Sequence, residues 1–225
     1  MQLIRFMAAA ALIVRAGPPS YPFQVGETLR YDARIGPMAA GSATISVARL
    51  DTERGRQVFV FTMSGGGGAG LRADYAMTSW TGVEAFTSRR FHRRVTLAGR
   101  TDDHSFLIVP DSLRYREEGS AQDWVTPAAP LDELALLYYL RTLSLHPGDA
   151  RALRGYFKNG YNPVLVRVTG RETVTRGDGV AVSCLALRIT SAGTTSEVWL
   201  SDDARRLPVQ LDLPLSLGRV RLVLR

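Results

Sequence analysis

The segment Pro130 to Arg141 (Pro-Leu-Asp-Glu-Leu-Ala-Leu-Leu-Tyr-Tyr-Leu-Arg) has a helical pattern that is apolar nearly all round, in a chain whose other patterned stretches alternate as strands do. Leu131, Leu134, Ala135 and Tyr138 follow the three-and-four spacing of one helical face, while Leu136, Leu137 and Leu140 cover much of the rest. In water such a rod must be covered on more than one side. In a strand-rich chain the simplest cover is a curled sheet. The spacing predicts a helix that starts at Leu131 or Asp132, with Asp132 and Glu133 near its positive end. It gives way before His146-Pro147-Gly148.

Around this helix the pattern has a period of two. In Thr28 to Ile35, Leu29, Tyr31, Ala33 and Ile35 share one face, and Arg30, Asp32 and Arg34 share the other. Gly36-Pro37 breaks the run, and Ala43, Ile45 and Val47 resume it, as in a hairpin. Gln57 to Ser64 is apolar on both faces and predicts a strand covered from two sides. It ends in Gly65-Gly-Gly-Gly-Ala-Gly70, a hairpin or bulge composition that lacks the Lys-Ser/Thr of a phosphate loop. Further strands are expected at 73–80, 86–97, 104–109, 112–117, 152–157, 164–175, 180–190, 194–200, 209–213 and 217–224. About a dozen short strands and one internal helix define an all-β, mainly antiparallel chain. The sheet is expected to be strongly curved, as an open or closed barrel-like structure, with the short helix near 131–141.

At 225 residues, without a Pro/Ser/charge linker or a recurring period, residues 20–225 read as a single domain. Residues 1–16 resemble a secretory signal peptide, with Arg5, an apolar run from Phe6 to Val14, and Val14-Arg15-Ala16 near the small-x-small cleavage pattern. The run is well short of the roughly 20 residues that span a bilayer. The expectation is export to the periplasm or cell envelope, with no transmembrane span in the mature chain. Cys184 is the lone cysteine and reads as core filling in a strand.

The net charge of +7 does not point to nucleic acid. Lys158 is the only lysine, and the arginines are dispersed through strands rather than clustered beside base-stacking aromatics. Arg89-Arg90-Phe91-His92-Arg93-Arg94 is the exception. It is either a solvated strand face or an anion-binding site formed by Arg90, His92 and Arg94.

Reaction chemistry has little support. Ser201, Asp202 and His104 or His146 contain the residue types of a hydrolase triad, but no nucleophile elbow accompanies them and Ser201 to Asp203 fit a turn. Asp102-Asp103-His104 lacks metal-loop spacing, so no metal site and no cofactor is expected. Asp74, Glu84, Glu117 and Glu197 are carboxylates that could meet in space.

Three stretches together resemble an exported bacterial family known as domain of unknown function 3108. They are Phe23-Gln-Val-Gly-Glu-Thr-Leu-Arg-Tyr with Gly41-Ser-Ala, Leu131-Asp-Glu-Leu-Ala-Leu-Leu-Tyr-Tyr-Leu-Arg-Thr-Leu with Pro147-Gly-Asp, and Val198-Trp-Leu-Ser-Asp-Asp-Ala-Arg-Arg-Leu-Pro-Val. The resemblance implies an envelope location and a mostly strand architecture. It brings no catalytic or binding residues with it.

Three functional readings follow. The first is a non-enzymatic envelope protein with an apolar groove beside the helix for a lipid-like or amphipathic ligand, lined by Trp80, Leu134, Tyr138, Tyr139 and Trp199. The second is a structural protein with a filled core that binds an envelope partner through edges or arginine-rich faces. The third is a hydrolase of envelope polymers.

Overall fold

The computed structural model describes residues 20–67, 73–215 and 218–225. The leader-like segment 1–16 and positions 68–70 of the glycine run lie outside the described residues. The strands are β1 (Thr28–Ile35), β2 (Met38–Glu53), β3 (Arg56–Gly67), β4 (Ala73–Gly82), β5 (Ser88–Leu97), β6 (Arg100–Val109), β7 (Arg114–Glu117) and β8 (Asp123–Val125). The helix α1 (Glu133–Thr142) follows, and then β9 (Ala150–Leu153), β10 (Val164–Thr175), β11 (Ala181–Ser191), β12 (Thr194–Ser201), β13 (Pro208–Leu215) and β14 (Gly218–Leu224).

All fourteen strands form one antiparallel sheet in the order β8-β7-β6-β5-β4-β3-β2-β1-β14-β13-β12-β11-β10-β9. The first and last strands pair in its middle, from Tyr31 opposite Leu224 to Ile35 opposite Val220. Two meanders therefore run outward from a central seam, and α1 connects their outer edges. Those edges are stitched together just before the helix. Phe157 N donates to Leu131 O at 3.0 Å, Leu131 N donates to Gly155 O, and Thr126 Oγ1 donates to Phe157 O at 2.8 Å. The expected 152–157 strand ends at Leu153 because the residues after it leave the sheet to make this closure.

Register shifts at Ala33/Arg34, Val47/Arg49, Trp80/Thr81, Val168/Gly170 and Trp199/Leu200 give the sheet its curl, since each adds local bend and twist. At Gly41, on β2, φ is +138° and a Cβ would stand 1.9 Å from the Gly66 carbonyl oxygen. Only glycine lets the two backbones come this close.

The concave face holds the main core. Tyr31, Ile45, Phe61, Phe91, Leu185 and Leu187 are buried there, with Leu134, Ala135, Tyr138 and Leu140 of α1 packed against them. The Tyr138 ring stacks on Phe61 at 4.0 Å and meets Phe23 edge-on at 4.9 Å. The both-sides-apolar strand at 57–64 is covered twice, as its pattern requires. Phe59, Phe61 and Met63 face inward, and the intervening Val58 and Val60 are buried on the convex side. A second, smaller convex cluster joins Val174, Cys184, Ala186, Trp199 and Val209. Burial in it pushes the Cys184 thiol up to about 11, which leaves the sulfur protonated and inert.

Candidate binding site

Two polar anchors fix α1 across one end of the barrel-like sheet, the base. At its start, the Asp132 Oδ1 atom accepts from the Leu134 and Ala135 amides, both at 3.0 Å. Oδ2 accepts from Ser79 Oγ at 2.6 Å and Ser88 Oγ at 2.7 Å, while Asp132 N donates back to Ser88 Oγ. This N-cap bolts the helix to β4 and β5. Complete burial pushes the Asp132 carboxyl up to about 7, against the pull of its four donors.

At the other end, Arg141 Nη1 meets Glu27 Oε1 at 2.6 Å, with the two side chains 0% and 7% exposed. Arg141 Nη2 also donates to the Glu27 carboxylate and to the carbonyls of Pro22 and Arg205, and the guanidinium lies over the rings of Phe23 and Tyr138. Tyr31 Oη donates to Pro208 O at 2.8 Å. Glu27 and Tyr31, Arg141, and Arg205 and Pro208, one part of each of the three stretches that carry the family resemblance, thus meet at the base, while Gly41-Ser-Ala lies toward the other end of the sheet.

Between α1 and the opposite end of the sheet, the concave face is not filled. A cavity of about 330 Å³ is lined by Glu133, Leu134, Leu136, Leu137 and Leu140 of the helix and by sheet residues including Met63, Tyr75, Met77, Ile189, Val198 and Leu211. It shares Met63, Tyr75 and Leu213 with a slot of about 110 Å³ walled by Ala33, Ala40, Ala43 and Gly65 to Gly67. Small side chains create this slot where larger ones would close it. A third hollow of about 430 Å³ also touches Tyr75 and takes in Arg93, Arg100 and Asp102, whereas the Asp74 side chain points to the convex face beside Gly66. Together they form a partly enclosed trough running from the helix toward the end where β3 meets β4 and β5 meets β6, called the mouth here. Burial lifts the Tyr75 phenol to about 12, so at the junction it is a neutral hydrogen-bonding group.

The five groove residues expected from sequence are not brought together. Leu134 lines the cavity; Tyr138 and Tyr139 pack into the aromatic cluster with Phe61 and Phe86. Trp80 and Trp199 lie on the convex face. Trp80 is stacked by Arg90 at 5.1 Å, and Trp199 Nε1 donates to Glu172 Oε2 at 2.7 Å. Both indoles cover outward-facing apolar strand residues and have no part in the groove.

The expected anion site is likewise occupied by the protein's own charges. Arg94 and His92 both meet Asp103, at 2.6 Å each, and Arg90 meets Glu118 at 2.9 Å, all on the convex face. The neighbour that faces the trough is Arg93, whose strand position points the other way. Strand alternation also splits Asp102-Asp103-His104, because Asp103 joins the convex pairs while His104 meets Glu117 on the concave face. Ser201 is committed to a turn with Asp203 and the Leu207 amide. Glu197 sits among Arg188 and Arg219, far in the sheet order from Glu117 on β7.

The sequence model of the family DUF3108, described as a protein of unknown function, matches residues 30–225. The chain belongs to this family. No curated protein matches the DUF3108 chain. Among solved structures it is similar to a β-barrel-like protein of the domain of unknown function DUF1849 from Brucella abortus, with a TM-score of 0.51 at 10% identity. The match covers 88% of this chain and 94% of that one. At that identity the likeness extends to the fold, and it places the DUF3108 chain among barrel-like curved sheets. No described helix is long and apolar enough to cross a membrane.

Proposed function

We propose that this chain is a non-enzymatic binding protein, exported to the cell envelope, whose trough holds the apolar part of a lipid-like or other amphipathic ligand. The observation that carries this reading is the cavity of about 330 Å³ left between the leucines of α1 and the concave sheet. Its size falls at the lower end of the roughly 300–1,000 Å³ typical of small-molecule sites, which are also mostly apolar. A core filled by the helix alone, as the partner-binding alternative requires, is hard to reconcile with a space of this size. A binding role also accords with the scatter of Ser201, His104, Glu117 and Glu197 over different strands and faces.

The test is titration with the neutral apolar fluorophore N-phenyl-1-naphthylamine, together with mass spectrometry of lipid extracted from gently purified protein. Saturable fluorescence gain is expected, and Leu137→Trp, which grows into the cavity, should reduce it. A chain that takes up no dye and carries no lipid would refute the proposal.

A further inference from the structure

The polar end of the trough carries an unbalanced charge. On the β5/β6 ladder, Arg93 stands opposite His104, Val95 opposite Asp102, and Leu97 opposite Arg100, and these positions face the concave side. Arg93, Arg100 and Asp102 border the hollow of about 430 Å³, which adjoins both apolar cavities at Tyr75.

The other inward charges near this wall have partners of their own. His104 meets Glu117, and Lys158 lies over the Phe106 ring at 4.2 Å. Burial pulls the Lys158 amine down, and Glu133, at the helix end of the cavity, pulls it back up, so that carboxylate already has a cation in its field. Arg94, Arg116, Arg188 and Arg221 on the same sheet are joined to carboxylates at 2.6 to 3.1 Å. Arg93 and Arg100 make no ion pair among the described residues, although Asp102 shares their hollow. Two guanidiniums and one carboxylate are left over. An anion entering the hollow is attracted by two groups and repelled by one, and a cation meets the reverse. The guanidinium fork also matches the paired oxygens of a carboxylate or a phosphate.

On the groove reading above, we infer that the trough takes an amphiphile with an anionic head, a carboxylate or a phosphate, held by Arg93 and Arg100, with its tail running past Tyr75 to the leucines of α1. Tyr75 borders all three spaces and so stands where head joins tail.

The experiment uses the full chain loaded with N-phenyl-1-naphthylamine. The dye is displaced by dodecanoate, dodecyl phosphate or dodecyltrimethylammonium, three amphiphiles of equal tail length, each below its micelle concentration. The better of the two anions should act at a concentration about tenfold lower than the cation, the factor expected for one net charge-assisted contact. Which anion is better tells a carboxylate head from a phosphate head. Arg93→Gln and Arg100→Gln should each raise the concentration of anion required, and Asp102→Asn should lower it. Opposite shifts from neighbours on one ladder cannot come from a general loss of folding. If the cation displaces the dye as well as both anions do, or if none of the three variants moves the ratio of anion to cation, the head-group assignment falls and the groove stands. If neither dye nor any amphiphile binds, the groove reading falls and takes the head-group assignment with it.

Discussion

Removing the Asp132 carboxyl would strand two helix-end amides and two buried hydroxyls at once, because Leu134, Ala135, Ser79 and Ser88 all donate to it. Asp132→Ala is expected to cost about 2–4 kcal/mol, the loss of an N-cap plus unsatisfied buried donors, read from the urea midpoint. The same carboxyl makes stability pH-dependent. Its folded pKa of about 7 lies above the unfolded value near 3.8, so between those values the folded chain holds a proton that the unfolded chain has released. Its contribution is complete below about pH 4 and is lost as pH rises toward 7. Midpoints measured across that range should fall with rising pH, and Asp132→Asn should flatten this component. Arg141→Met should cost about 3–5 kcal/mol by leaving Glu27 buried without its partner, and adding Glu27→Leu should restore part of the loss. Asp132 was legible in the sequence as an acidic residue at a helix start. Its serine partners were not, because they lie on strands 44 and 53 positions away and no local pattern announces such a meeting.

Among elements, α1 was the most legible, and its apolar girth correctly demanded cover on several sides. The girth does not reveal how complete the cover is. Leu134 is packed, whereas Leu136 and Leu137 are only half-buried and border empty space. Leu134→Ala should therefore cost about 2–5 kcal/mol and Leu137→Ala only about 1 kcal/mol, compared by denaturant midpoints. Strand alternation located most of the sheet, but β8, three residues long, was too short to show a period. Alternation also could not say which way the charged residues of β5 face. Both sides of that strand are rich in arginine, and the inward member, Arg93, differs from its neighbours only through pairing partners that the sequence does not display. Trp80 and Trp199 misled for a related reason, since an amphipathic indole covers an outward valine or alanine as readily as it lines a cleft.

For the molecule as a whole, the order of strands was the least legible feature. Nothing local requires the first and last strands to be neighbours, yet this long-range pairing holds the two meanders together. Hydrogen exchange should show the consequence. Amides at the β1/β14 seam are expected to be slowest, and those of β8 and β9, at the outer edges, fastest. Rapid exchange along the seam would contradict the central position of these strands. The resemblance stretches have a shared role only at this scale, where Glu27, Arg141, Arg205 and Pro208 meet around the base.

That seam also decides where the chain leaves the fold. Arg225 N donates to Arg30 O, and residues 21 to 27 approach β1 beside Arg141, so the start of the described fold and its final residue both lie at the base. A tether or fusion partner joined at either extremity would hold the vessel by its foot. The end where β3 meets β4 and β5 meets β6 would then point away from that attachment, which under the proposed binding role leaves the trough accessible.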